Sequence, residues 1–154
     1  MALQIHHMSI LPILCDNGQL SERSTELIAA EVLEWSLVGS RVSCSPPPQE
    51  TDLDVLCRVG NMGSFADILL EEGYERGGSD PADVSPWSQS MVFEGRDNVS
   101  KFSAFRFGDL NIIATDSQEF YDKFMLATRV ATKLNLMKKD DRIALFQAIL
   151  YGNG

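Results

Sequence analysis

The spacing of apolar positions changes several times along the chain, and each change marks an element. Residues 3–14 are apolar and interrupted by Pro12, a pattern for a short strand or an arm packed on the domain. Asp16-Asn17-Gly18 marks a turn. A helix is expected over residues 21–33, with Ser21 as N-cap and Glu22 favoured by the helix dipole. Ile28, Val32 and Trp35 continue its buried stripe, and Leu27 widens it. Residues 34–38 read as a first strand, 43–50 as an extended loop carrying Pro46, Pro47 and Pro48, and 52–59 as a second strand. After a turn at Gly60-Asn61-Met62-Gly63, residues 65–72 give a helix with Phe65, Ile68 and Leu69 inward and Gly73 ending it.

Residues 75–90 hold two prolines and two glycines with little periodicity, which predicts a long loop of the kind that often forms a lid. Trp87 in it serves as an anchor or as a stacking surface for a base. Residues 99–115 read as a hairpin about Gly108-Asp109. Leu110, Ile112 and Ala114 share one face, and Asn111, Ile113 and Thr115 the other. Asp116-Ser117-Gln118-Glu119 resembles a capping box opening a helix to residue 134, with Phe120, Phe124, Ala127, Ala131 and Leu134 buried. Asp140 or Asp141 should cap a last helix packed through Ile143, Phe146, Ile149 and Leu150 and ended by Gly152. The sum is an α+β domain: a small mixed or antiparallel sheet with helices packed on it. Residues 1–154 form one domain, with 117–154 a C-terminal helical pair packed on it.

Charge narrows the partners. The net charge is −9, from 22 acids and 13 bases, which argues against a groove for duplex DNA, where phosphate neutralisation dominates affinity. Residues 121–154 are locally basic, through Lys123, Arg129, Lys133, Lys138, Lys139 and Arg142. Cys15, Cys44 and Cys57 form no metal-binding spacing, which suggests a reducing compartment. His6 and His7 are adjacent, so a strand points them to opposite sides, a poor arrangement for a metal pair. No apolar run approaches the roughly 20 residues of a membrane span, and no secretory signal precedes the domain. These features point to a cytoplasmic protein.

The candidate chemistry lies in residues 37–56, LVGSRVSCSPPPQETDLDVL. An apolar run ends in Gly39-Ser40-Arg41, and Asp52 and Asp54 follow after the loop. Strand alternation puts both carboxylates on one face, about 6.5–7 Å apart, where a divalent cation relieves their repulsion. The alternative is a strand ending in a turn, then an edge strand whose acids face water.

A helix, a strand ending in Gly-Ser and an acid-apolar-acid strand together resemble the nucleotidyltransferase superfamily that includes DNA polymerase beta. The resemblance rests on about twenty residues. It implies a nucleotidyltransferase-like fold, with Gly39 and Ser40 holding the triphosphate and Asp52 and Asp54 holding Mg²⁺ or Mn²⁺. Arg41, Arg129 or Lys133 would neutralise the leaving pyrophosphate. The substrate would be an NTP, with ATP expected, and the acceptor a hydroxyl of a protein, an RNA end or a small molecule. The superfamily usually carries a third acid on a later strand, where this chain offers Asn111, a weak ligand and a negligible base. Asp109 would take that place only if the hairpin turn were shifted. The tail RIALFQAILYG and the LNIIATD segment are similar to short nucleotidyltransferase-like proteins of tailed bacteriophages. That likeness implies a bacterial host cytoplasm. It also opens a different reading: a catalytically degenerate scaffold that senses a nucleotide or inhibits a host protein, with Glu71, Glu72 and Glu75 as partner contacts.

Overall fold

The structure is a computed structural model that describes residue 10 and residues 22–47, 53–76 and 102–151. Helix α1 (Glu22–Glu31) leads into strand β1 (Val32–Val38), which runs into a single helical turn, α2 (Ser40–Ser43). Strand β2 (Leu53–Val59), helix α3 (Met62–Glu71) and the two-residue strand β3 (Glu75–Arg76) follow. The hairpin β4 (Ser103–Phe107) and β5 (Leu110–Thr115) precedes α4 (Gln118–Leu134) and α5 (Lys139–Tyr151). No described helix is long and apolar enough to cross a membrane.

The sheet is mixed, in the order β1-β2-β5-β4-β3. Strand β2 runs antiparallel to β1 and parallel to β5, and the β4–β5 and β3–β4 pairs are antiparallel. Strand β2 is therefore interior, which overturns the edge-strand alternative. Its sequence suits that place: Val55, Leu56 and Cys57 are consecutive and fully buried, as expected of a strand covered on both faces. One face meets α1 and α3, where Ile28, Phe65 and Leu69 pack on Val55, Cys57, Leu110 and Ile112. The other meets α4, where Tyr121 packs with Val38 and Leu56. Helix α5 backs α4 through Phe146 on Ala127 and Ala131.

The hairpin turns at Gly108, with φ +60°, and the Leu110, Ile112 and Ala114 face of its second strand is fully buried. Helix α4 ends where the periodicity placed it, at Leu134, and Ser117 caps its start by accepting from the Phe120 N–H at 3.1 Å. Glu119 meets Lys123 at 2.9 Å.

Several expectations are corrected. Helix α1 stops at Glu31, and Val32 already pairs with Val59 in the sheet; Leu27 is 47% exposed and does not widen the buried stripe. Residues 40–43 are helical before the chain extends. Helix α3 begins at Met62, not Phe65, because Asn61 accepts from the Ser64 N–H at 2.9 Å and caps it there. Gly73, φ +97°, ends it, with Gly73 N–H bonded to Leu70 O and Tyr74 N–H to Leu69 O. Glu75 and Arg76 form strand, not loop, and the rest of the expected 75–90 loop lies outside the described residues. Leu134 is 62% exposed: Asn135 turns left-handed, φ 47°, and Leu136 packs in its stead beside Ala131. Helix α5 starts at Lys139, so Asp140 and Asp141 occupy its first turn and do not cap it. Ser21, His6, His7, Cys15, Trp87, Gly152, the 16–18 turn and Asp52 lie outside the described residues.

Candidate functional site

At the end of β1, Gly39 takes φ +80° and ψ −173°, a conformation that L side chains rarely adopt. From there the chain tightens into α2, with the Val42 and Ser43 N–H groups both bonded to Gly39 O at 3.0 Å. A second constraint falls on the same residue. The Asp54 carboxylate of β2 lies against Gly39, so a Cβ built there would overlap Asp54 Oδ2 and sit 2.9 Å from its Cγ. Glycine is what lets the turn and the carboxylate share this space.

Asp54 stands in a row of residues in register across five strands: Val38, Asp54, Asn111, Arg106 and Glu75. Alternation puts Asp54 and Asn111 on the face opposite Val55 and Ile112, and Arg106 on the face opposite Phe105 and Phe107. Asn111 Nδ2 donates to Asp54 Oδ1 at 3.1 Å, closing that face of the row. The neighbouring row, with Leu56 and Ile113, is covered by Tyr121, Phe124 and Met125 of α4. Along the Asp54 row, exposure rises from buried Val38 through half-buried Asp54 and Asn111 to exposed Arg106 and Glu75.

The segment after the turn is held from behind by the α4–α5 corner. Asn135 Oδ1 accepts from the Ser45 N–H at 2.9 Å, and its Nδ2 donates to Ser45 O at 3.1 Å. The Cys44 thiol meets Leu136 O at 3.5 Å, and Arg142 donates to Cys44 Sγ, Leu136 O and Met137 O at 3.3, 3.0 and 2.8 Å. Between α4 and the sheet, the Ser36 and Tyr121 hydroxyls bond at 3.0 Å. Burial pushes the Tyr121 hydroxyl up to about 12, with the Ser36 bond acting in the other direction. Burial also pushes the Cys57 thiol up, keeping it neutral inside the core.

Of the residues singled out from the sequence, the structure joins Gly39, Asp54 and Asn111 directly. Ser40 is half-buried at the start of α2, and Arg41 is exposed on it. Arg129 and Lys133 are exposed on α4, and no described contact links either to Asp54 or Asn111. Asp109 is exposed in the hairpin turn; its backbone oxygen accepts from the Leu53 N–H at 2.9 Å, which aligns β5 beside β2. Among the described residues no group of three or more His, Cys, Asp or Glu gathers; Asp52 is not among them.

No place at the site was assigned from the sequence to Arg106, Asn135 or Arg142. Arg106 was legible in principle, because alternation with Phe105 and Phe107 assigns it to the face of Asn111. The other two act through a tertiary corner that local pattern does not reveal. No protein-family model matches the chain, and neither a curated protein nor a solved structure does.

Proposed function

We propose that the protein binds an NTP, ATP foremost, together with Mg²⁺ or Mn²⁺, and transfers its nucleotidyl group to a hydroxyl acceptor. The observation that carries this reading is the Gly39–Asp54–Asn111 constellation: a glycine turn at positive φ, a carboxylate seated against it and an amide in register behind. The helix, Gly-Ser strand and acid strand occur in the order that the resemblance implies, with the Asn111 strand parallel to the acid strand.

The donor set suits a hard cation. Each carboxylate oxygen has two lone pairs, so Asp54 Oδ1 keeps acceptor capacity while Asn111 donates to it, and the Asn111 amide oxygen adds a neutral oxygen ligand. Asp52, two residues before Asp54, is assigned the second carboxylate. When bound, the ion neutralises phosphate charge and polarises the α-phosphate. Gly39 and Ser40 hold the phosphates, through close backbone approach and a hydroxyl donor, and Arg41 supplies charge at the leaving group. Arg129 and Lys133 remain candidates for that last role.

Asn111 favours a second reading. An amide that donates to Asp54 orients that carboxylate but takes no proton from an acceptor, which fits a protein that binds a nucleotide and transfers slowly or not at all. A nucleotide sensor or an inhibitor of a host protein would need no more. The experiment is incubation with α-³²P-labelled NTPs, Mg²⁺ or Mn²⁺, and bacterial lysate. Wild type should label a macromolecule or small acceptor, and the Asp52→Ala/Asp54→Ala double variant should not. Asn111→Asp should raise the transfer rate by about 10²–10⁴, the usual contribution of a general base. Calorimetric ATP binding without transfer selects the sensor. Neither binding nor transfer sinks both nucleotide readings.

A further inference from the structure

Resting on the nucleotidyl-transfer reading, we infer that Arg106 binds the acceptor and that the acceptor carries a phosphate group close to its reacting hydroxyl. Gly39 flanks Asp54 on one side, at the end of β1; Asn111 and Arg106 extend the row on the other, on β5 and β4. A displacement at phosphorus brings the nucleophile in opposite the leaving group. With the β- and γ-phosphates over the Gly39 turn, the hydroxyl therefore enters over Asn111. Its oxygen bonds the α-phosphorus, and the bond from that phosphorus to the bridging oxygen breaks. The electron pair leaves on pyrophosphate, and the hydroxyl proton passes to water.

The next residue in register beyond Asn111 is Arg106, which is exposed. Two strand spacings separate it from Asp54, about 10 Å at the backbone, a gap that an extended arginine largely spans. A guanidinium presents two parallel N–H donors and matches a phosphate in bidentate fashion. Among the described residues the row ends at Glu75, an acid, and the whole chain carries a net charge of −9. An arginine with an acid next to it in register, on an acidic chain, suits a phosphate on a small acceptor better than the backbone of a long nucleic acid.

The test uses the full chain with Mn²⁺ and saturating α,β-methylene-ATP, into which glycerol 3-phosphate is titrated by calorimetry, with glycerol as control. Wild type should bind glycerol 3-phosphate and not glycerol. Arg106→Ala should weaken that binding about tenfold or more, as expected for losing a hydrogen-bonded charge partner. Arg106→Lys should fall between, keeping the charge and losing the fork. Affinity for α,β-methylene-ATP and the melting temperature should stay unchanged in both variants. Equal binding of glycerol 3-phosphate by wild type and Arg106→Ala, or none by a wild type that binds the ATP analogue, overturns the inference and leaves the nucleotide site standing. A wild type that does not bind the ATP analogue overturns the site and the inference together.

Discussion

Gly39 carries two independent demands, one on its backbone and one on the space beside it. The positive φ alone makes any other residue costly, by about 1–3 kcal/mol. The Asp54 carboxylate occupies the place where a Cβ would go, so a side chain must also push that group aside. Gly39→Ala should therefore lower the unfolding free energy by at least that range and should weaken nucleotide binding with it. Chemical denaturation and calorimetry on the same preparation check both. A variant that loses stability but binds ATP normally would separate the turn from the site. Asp54 was legible from the sequence as an acid between apolar neighbours, and Gly39 as the end of an apolar run. Their mutual fit was not, because it depends on β1 and β2 pairing with Val38 opposite Asp54. That register arises from long-range pairing and leaves no local trace.

Among the elements, the hairpin and the extent of α4 were legible from their periodicity, and β2 from its apolar run after an acid-apolar-acid start. The failures share a physical cause. Val32 and Trp35 satisfy helical spacing and strand chemistry equally well, and pairing with Val59 and Cys57 decides for the sheet. Leu134 fits the α4 stripe, but the left-handed Asn135 ends the helix before anything covers it. Tyr121, absent from the predicted stripe, is among the most deeply buried side chains, since its ring packs on Val38 and Leu56 and its hydroxyl reaches Ser36. Removing that hydroxyl in Tyr121→Phe leaves Ser36 buried without this partner and should cost about 1–3 kcal/mol at pH 7. The pH dependence has a definite sign. The Tyr121 hydroxyl ionises near its ordinary value of 10.0 when unfolded and at about 12 when folded. Its contribution is complete below pH 10 and is lost as the pH rises through about 12. The stability gap between wild type and Tyr121→Phe should shrink from pH 9 to pH 11 in urea titrations. A gap that widens would contradict the assignment.

In the whole molecule, the Asp54 row lies beside the row that α4 covers, half-buried at Asp54 and Asn111 and exposed at Arg106 and Glu75, and the Gly39 turn borders it. The α4–α5 corner grips Cys44 and Ser45 directly behind that turn, so it also supports the edge of the candidate site. The acidic net charge of −9 fits a site in which added cations mediate contact with phosphates. Asp54 and the Gly39 turn are proposed to form a metal-dependent nucleotide site together. Calorimetric titration of ATP into wild type and Asp54→Asn, each with Mn²⁺ and again with EDTA, tests it most directly. Wild type should bind ATP with Mn²⁺, and adding EDTA or substituting Asp54 should weaken that binding about tenfold or more. Binding that is unchanged by both, or no binding by the wild type with Mn²⁺, would contradict it.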